Sequence, residues 1–130
     1  MRLLLDTHIW IWSVSEPAKL SPRVARILQD PNNELWLSPI SVWEVVILLE
    51  KRRLGLDMAP EEMVSQAIRT LPTKEAPLTA EVALATRHIR LPHRDPADLF
   101  LAATAKVFDL TLVTSDTHLL AAREISVLRA

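Results

Sequence analysis

The sequence predicts an α/β protein in which helices cover a mainly parallel β-sheet. Short apolar stretches alternate along the chain with longer segments that carry helical patterns. Signals for a helix start, in which a Ser, Thr or Asp precedes a proline or an apolar run, recur between those stretches. The chain of 130 residues is 49% hydrophobic and 24% charged, so we expect residues 1–130 to form one domain with a sizeable core.

Five stretches are predicted as strands because they are short, apolar and bounded by turn or helix-start residues. The fourth of them is the richest in β-branched residues. Each strand is separated from the next by at least one helical segment or loop, which is typical of a parallel sheet. In chain order, the predicted strands are residues 2–5, 34–37, 74–78, 110–114 and 125–128.

The segments between the strands are predicted as helices from their caps and their apolar spacing. Ser21 is an N-cap with Pro22 at the first helical position, and Thr79 and Asp95 begin later helices in the same way. Gly55, the only glycine, ends the long apolar helix of the first half. The predicted helices are a turn or helix at residues 9–12, followed by 22–29, 40–53, 60–69, 80–88, 97–107 and 117–122.

The composition excludes several kinds of protein. Without cysteine the chain has no disulfide, no thiolate metal site and no cysteine nucleophile. Its net charge of −1 is unlike that of an obligate DNA-binding protein, although a nuclease needs only a local basic rim. The apolar run before Asp6 is too short for a signal peptide, and no segment is long enough to span a membrane, so we expect a cytoplasmic protein.

Acidic residues recur at the positions where a parallel sheet gathers functional groups. Asp6 and Asp116 each follow a strand, and Glu44 lies one turn into the helix after the second strand. Asp95 and Asp98 lie in the first turn of the helix that precedes the fourth strand. Because the carboxyl ends of parallel strands meet at one edge, these acids can converge there. Clustered carboxylates repel one another, and a hard divalent cation such as Mg²⁺ or Mn²⁺ offsets that repulsion.

Each acid also has a purely structural interpretation, which stays open at this point. Asp6, Asp95 and Asp116 can serve as N-caps, and Asp98 is favoured near a helix N-terminus by the helix dipole. Capping does not explain Glu44, which lies among apolar residues inside a helix. A carboxylate there needs a partner or a metal, unless the helix exposes a narrow polar stripe.

Four segments together resemble the PIN-domain ribonucleases, and within them the VapC-type toxins of type II toxin–antitoxin systems. Their order and spacing span essentially the whole chain, and it is the combination, rather than any one segment, that is specific. The segments are residues 3–8 (LLLDTH), 38–44 (SPISVWE), 93–98 with 101–103 (HRDPAD and LAA) and 112–116 (LVTSD). The match departs mildly from the family pattern at Pro39 and at residues 99–100, which affects packing rather than the acids.

The resemblance implies a PIN-like three-layer α/β/α fold and an Mg²⁺- or Mn²⁺-dependent endoribonuclease that cleaves RNA phosphodiesters with a metal-activated water. It implies four metal-binding and catalytic acids: Asp6, Glu44, Asp98 and Asp116. Asp95 would be an auxiliary acid, and Thr114 would support the pocket. The resemblance further implies a VapB-like antitoxin whose tail covers or enters the active site, and a homodimer.

Basic and aromatic side chains are less decisive. Arg87, Arg90, His93 and Arg94 lead toward the acids and are candidates for contacts with RNA, although such runs are equally typical of a solvated helix end. The four histidines lack the spacing of a zinc site, so we expect no zinc. His8 and His118, each in an Asp-Thr-His tripeptide, could contact the pocket or bond locally.

The four tryptophans are expected to pack in the core or in a dimer interface. Trp36 and Trp43 lie in elements that we predict to be buried, whereas Trp10 and Trp12 cannot both face one side of a helix. One of the latter pair is therefore available to a partner.

Two other functions fit parts of the pattern. A receiver-like module that accepts a phosphoryl group on an aspartate would share the length, the fold class and the Mg²⁺-binding acids. It would also need an acidic pair after the first strand and a lysine after a later one, and neither is present at Asp6 or Asp116. An inactive PIN fold that only binds a partner would be expected to lack one of the four acids.

Overall fold

The structure is a computed structural model that describes residues 1–55, 57–93 and 95–130. Within them, the strands are β1 (Arg2–Leu5), β2 (Glu34–Leu37), β3 (Lys74–Glu75), β4 (Thr111–Thr114) and β5 (Ser126–Arg129). The α-helices are α1 (Thr7–Ser15), α2 (Pro22–Gln29), α3 (Pro39–Glu50), α4 (Pro60–Thr70), α5 (Ala80–Ala85), α6 (Pro96–Val107) and α7 (Thr117–Leu120). Short 3₁₀ turns follow α1 at Pro17–Lys19 and α5 at Thr86–His88.

The strands form one sheet in the order β3-β2-β1-β4-β5, and every neighbouring pair is parallel. The predicted α/β class is therefore confirmed, and the sheet is fully rather than mainly parallel. β1 lies at the centre, between β2 and β4. Because all strands run the same way, the residues that follow β1, β2 and β4 meet at one edge of the sheet.

The sheet is buried on both faces, which gives three layers. Leu3 and Leu5 of β1 pack into one apolar cluster with residues of α1 to α4. Leu4 of the same strand points the other way and joins Leu112 of β4 and the apolar side of α6 in a second cluster. This alternation along β1 follows from the two-residue period of a strand, and it explains why all three leucines are fully buried.

Most helices begin where their caps predict. The side chains of Ser21 and Thr79 accept hydrogen bonds from the backbone N–H groups three residues ahead, at 3.2 and 3.1 Å. Asp6, Asp95 and Asp116 are also N-caps, of α1, α6 and α7. The helix starts at the carboxyl edge are thus held by the same acids that were predicted as site residues.

The remaining differences from the prediction lie at element ends. The helix predicted over residues 40–53 ends at Glu50 in α3, because Arg52 already adopts left-handed backbone with φ of 54°. The prediction that Gly55 ends this helix is therefore wrong: Gly55 is also left-handed, with φ of 66°, but it lies five residues beyond the end. The third strand keeps only two of its five predicted residues, and the predicted helix 80–88 divides into α5 and a 3₁₀ turn.

The tryptophans differ more from the prediction. Trp10 is buried in the core, as expected of one member of its pair, and Trp12 is half-buried. Trp43 was expected to be buried, but it is 54% exposed, because α3 is apolar on nearly all sides and one side still faces outward. Trp36 is half-buried, and the cationic groups of Arg2 and Lys74 lie 5.4 and 5.5 Å from the centre of its ring. None of the helices in the described part of the chain is long and apolar enough to cross a membrane.

Candidate functional site

Asp6 lies where β1 passes into α1, and each of its carboxylate oxygens accepts one hydrogen bond. Oδ1 accepts a hydrogen bond from the backbone N–H of Thr7 at 2.8 Å. Oδ2 accepts one from the hydroxyl of Thr114 at 2.7 Å. Burial raises the pKa of Asp6 above its usual value, and the two hydrogen bonds partly offset that rise. The charge of Asp116 acts in the same direction as burial, so these two acids lie in each other's field.

Thr114, at the end of β4, connects these two acids. Besides donating to Asp6, its hydroxyl oxygen accepts from the backbone N–H of Asp116 at 3.0 Å. Its side chain is fully buried, so the hydroxyl cannot exchange these partners for bulk water. The geometry therefore suits the supporting role that the resemblance implies for Thr114.

Glu44 projects from the second turn of α3 toward α1. Its Oε1 accepts a hydrogen bond from the Thr7 hydroxyl at 2.6 Å, and that hydroxyl lies 2.9 Å from the Ser41 hydroxyl. Burial raises the pKa of Glu44, the bond from Thr7 opposes the rise, and the charges of Asp6 and Asp95 add to it. This half-buried carboxylate thus has the partner that its apolar helix requires.

Thr7 and Ser41 were missed by the sequence analysis, although both are buried at the site. Their positions carry a signal in retrospect. Thr7 directly follows Asp6, the acid at the end of β1. Ser41 precedes Glu44 by three residues, so Ser41 and Glu44 lie on the same side of α3. What the sequence does not reveal is the contact between α1 and α3 that joins the three side chains.

Asp98 lies in the first turn of α6, and its pKa is shifted further from its usual value than that of the other acids at this edge. Burial raises its pKa to about 7, and repulsion by Asp95, Asp6 and Asp116 contributes to the rise, whereas His93 lowers it. The influence of Asp6 and Asp116 places α6 beside the ends of β1 and β4. We refer to Asp6, Glu44, Asp98 and Asp116 as the acidic pocket.

The capping and pocket interpretations of Asp95 and Asp116 prove compatible. Oδ1 of Asp95 accepts from the backbone N–H groups of Ala97 and Asp98 at 2.9 and 3.3 Å. Oδ1 of Asp116 accepts from those of His118 and Leu119 at 2.8 and 3.2 Å. In each case a single carboxylate oxygen caps the helix, and a carboxylate has a second oxygen with which to bind another group.

Two histidines come together beside the acidic pocket, although their spacing in the sequence does not indicate it. The rings of His93 and His118 are 4.1 Å apart, edge to face. Among the described residues, the ligand atoms of His93, Asp116 and His118 all lie within 4.8 Å of one another, whereas no three of the pocket carboxylates are gathered as closely. Spacing in the sequence does not reveal this cluster, because it joins the loop that contains His93 to the start of α7.

The basic residues that were predicted to contact RNA are not gathered in one place as the acids are. Arg87 is exposed on the 3₁₀ turn and borders a surface cavity of about 420 Å³ with Lys106 and Val107 of α6. Those residues are two helical turns from Asp98, about 12 Å along the axis, so Arg87 is not brought to the pocket. Arg90 borders a second cavity, with Arg123, near the end of α7. Arg94 lies outside the described residues.

Comparison with known proteins gives a consistent result. A family model described as "PIN domain" matches residues 3–125. A curated relative, Ribonuclease VapC22 of Mycobacterium tuberculosis, is 29% identical over 120 residues, which cover 90% of this chain and 88% of that protein.

Two solved structures share the fold over nearly the whole chain. One is VapBC2 from Rickettsia felis bound to a DNA fragment from their promoter, with a TM-score of 0.75, 18% identity and coverage of 99% of this chain and 98% of that one. The other is DNA-bound VapBC from Salmonella typhimurium, with a TM-score of 0.69, 19% identity and the same coverage. At these identities the likeness concerns the fold.

Proposed function

This chain belongs to the PIN-domain family, and on that premise we propose that it is a metal-dependent endoribonuclease, the toxin of a VapBC-type toxin–antitoxin pair. The observation that carries the proposal is the acidic pocket. Three of its four carboxyl groups have raised pKa values, and each is raised in part by the charge of another acid at the same edge. Raised pKa values among clustered carboxylates are typical of a functional site.

The donor chemistry of the pocket fits Mg²⁺ or Mn²⁺. All four members offer carboxylate oxygens, the ligands that these hard cations prefer. Burial and mutual repulsion disfavour the ionised acids, and a divalent cation would reverse both effects. When bound, the ion would supply a Lewis acid that polarises the phosphodiester and lowers the pKa of a water molecule.

In this proposal Asp6, Glu44 and Asp98 hold the ion directly or through water, and Asp116 completes the pocket or a second ion position. Thr114 fixes the orientation of Asp6, and Thr7 does the same for Glu44 through the hydrogen bonds described above. Hydrogen bonds of this kind to metal-binding side chains fix the orientation of those side chains. Asp95 acts as an auxiliary acid, because its charge already acts on Asp98 and Glu44.

The RNA path is proposed to pass His93 and Arg90 rather than Arg87. His93 Nε2 lies 3.6 Å from Asp98 Oδ2, at the rim of the pocket. Arg90 is exposed, and its cavity lies at the end of α7, the helix that begins at Asp116. Arg94, which follows His93 in sequence, stays a candidate for a phosphate contact.

The proposed partner is a VapB-like antitoxin, since the solved relatives of the same fold are VapBC complexes. A homodimer and a cytoplasmic location are proposed as well, because both follow from membership among such toxins. RNA would be the substrate, since the curated relative is a ribonuclease.

The receiver-like alternative has no support in the topology. In the flavodoxin-like order that receiver domains adopt, the first strand lies between the second and the third. Here β1 lies between β2 and β4. An inactive PIN fold is disfavoured because all four acids are present and lie close enough to affect one another.

The decisive experiment measures cleavage of structured and unstructured RNA by purified protein, freed of any partner, with and without Mg²⁺ or Mn²⁺. Asp6→Asn and Glu44→Gln are each expected to lower the cleavage rate by at least about 100-fold. Glu50→Gln is the matched control, because Glu50 is an exposed glutamate on the same helix α3. Cleavage that needs no metal, or that survives both pocket substitutions, would refute the proposal.

A further inference from the structure

The cluster of His93, Asp116 and His118 adjoins the acidic pocket, with which it shares Asp116, but it has a different donor chemistry. It offers two imidazole nitrogens and one carboxylate oxygen, and their ligand atoms lie within 4.8 Å of one another. Imidazole is a borderline donor that suits Zn²⁺, Co²⁺ and Ni²⁺, whereas Mg²⁺ prefers oxygen ligands. We propose that these three residues form a second metal site, selective for a transition metal of the zinc type.

The side chains are close to the required geometry. In a tetrahedral zinc site, bonds of about 2.0–2.1 Å place neighbouring ligand atoms about 3.3 Å apart. The cluster therefore needs to close by no more than about 1.5 Å, judged against the same bond lengths. His93 and His118 have side chains that are 38% and 44% exposed, so both rings have room to rotate toward Asp116.

Binding of a metal to the cluster would break one hydrogen bond of His93. His93 Nδ1 accepts a bond of 3.3 Å from the backbone N–H of Asp95. A neutral imidazole carries one proton, so coordination through either nitrogen gives up that bond. The bond is long and exposed, and the freed N–H can bind water instead. Asp116 Oδ1 both caps α7 and lies 3.7 Å from His118 Nδ1, and the carboxylate has a second oxygen with which to share these two roles.

The surroundings favour a cation at this place. Asp98 Oδ2 lies 3.6 Å from His93 Nε2, so a positive ion on the imidazoles would face a second carboxylate. Because Asp116 belongs to both sites, the ion would also reduce the repulsion within the acidic pocket. The inference shares Asp116 with the proposed nuclease function, but it concerns binding and does not require cleavage of RNA.

The test is a titration of the full chain with Co²⁺, followed by visible absorption, and with Zn²⁺ in competition, both without RNA. We expect one Zn²⁺ per chain to bind more tightly than Mg²⁺, and His93→Gln and His118→Gln each to weaken Zn²⁺ binding by at least about 10-fold. His88→Gln is the matched control, because His88 is exposed and contacts Arg87 outside the cluster. Glu44→Gln is expected to retain Zn²⁺ binding while it loses cleavage, which separates this inference from the proposed function.

A second measurement uses the unsubstituted chain and so does not depend on the folding of any variant. Imidazole nitrogen resonances of His93 and His118 should shift together as Zn²⁺ is added, while that of His88 stays in place. Equal shifts at all histidines, no change in Co²⁺ absorption, or unchanged Zn²⁺ affinity in both cluster variants would overturn the inference.

Discussion

The Thr114 hydroxyl donates a hydrogen bond of 2.7 Å to Asp6 Oδ2 and accepts one of 3.0 Å from the backbone N–H of Asp116. One buried group therefore links the acid that follows β1 to the acid that follows β4. A threonine hydroxyl has one proton and two lone pairs, so it can make both contacts at once. The orientation of Asp6 and of Asp116 therefore depends on Thr114, which carries no charge.

Replacing Thr114 with valine should disturb the pocket more than the fold. Thr114→Val keeps the shape of the side chain but leaves Asp6 Oδ2 and the Asp116 N–H without their partner. We expect the affinity for Mg²⁺ or the rate of RNA cleavage to fall about 10- to 100-fold. Thr111→Val, in the same strand, is the control, and activity equal to that of the unsubstituted chain would contradict the role assigned to Thr114.

Thr7 should control the ionisation of Glu44. Its hydrogen bond of 2.6 Å opposes the rise in the pKa of Glu44 that burial causes. Thr7→Val should therefore raise that pKa further and move the acidic limb of the activity profile to higher pH, as measured by kcat/KM for RNA cleavage. Thr104→Val is a suitable control, because its buried hydroxyl bonds to the Phe100 carbonyl oxygen instead. An unmoved acidic limb would count against this contact.

Asp98 should make the metal-free protein less stable as the pH rises. Its pKa in the folded chain is about 7, above the usual 3.8 of an aspartate, so the folded state binds more protons than the unfolded state between those values. The stabilisation is complete below the unfolded value and is lost as the pH rises through about 7. Thermal unfolding in chelator from pH 4 to pH 8 should show this loss.

Asp98→Asn provides the comparison, because it cannot ionise, and it should flatten the pH dependence of unfolding. Added Mg²⁺ should restore stability to the unsubstituted chain at the upper end of the range, because it binds the ionised acid. If both chains show the same slope with pH, then Asp98 is not the group responsible.

Two tryptophans offer a comparison between a core and a surface position. Trp10 is 1% exposed, and its Nε1 has no hydrogen-bond partner within the described structure, whereas Trp43 is 54% exposed. Trp10→Ala should lower the free energy of unfolding by about 3–5 kcal/mol through the cavity it leaves. Trp43→Ala should change it by no more than about 0.5 kcal/mol. Urea unfolding measures both, and equal losses would show that the side chain of Trp43 is buried.

The elements were predictable because their signals are local. A cap such as Ser21 followed by Pro22, or an apolar run such as residues 2–5, determines its own structure with little help from the rest of the chain. Asp6 and Asp116 could be located because each follows a strand, and parallel strands share one carboxyl edge. These arguments need only the order of elements, which the sequence provides.

Contacts between distant elements were not predictable in this way. The bond from Thr7 to Glu44 requires the packing of α1 on α3, and the pairing of His93 with His118 requires the loop before α6 to meet the start of α7. The two Asp-Thr-His tripeptides illustrate the limit. His8 is exposed beside the Trp12 ring, whereas His118 faces His93. Identical local sequence therefore gives different surroundings, because tertiary structure supplies the neighbours.

The central position of β1 also governs when activity can arise during synthesis. Leu3 of β1 pairs with Thr111 of β4, a strand that is synthesised much later. A nascent chain that carries Asp6 and Glu44 still lacks β4, Thr114 and Asp116. The acidic pocket is therefore completed only after β4 and Asp116 have been synthesised, and every shorter fragment lacks part of it.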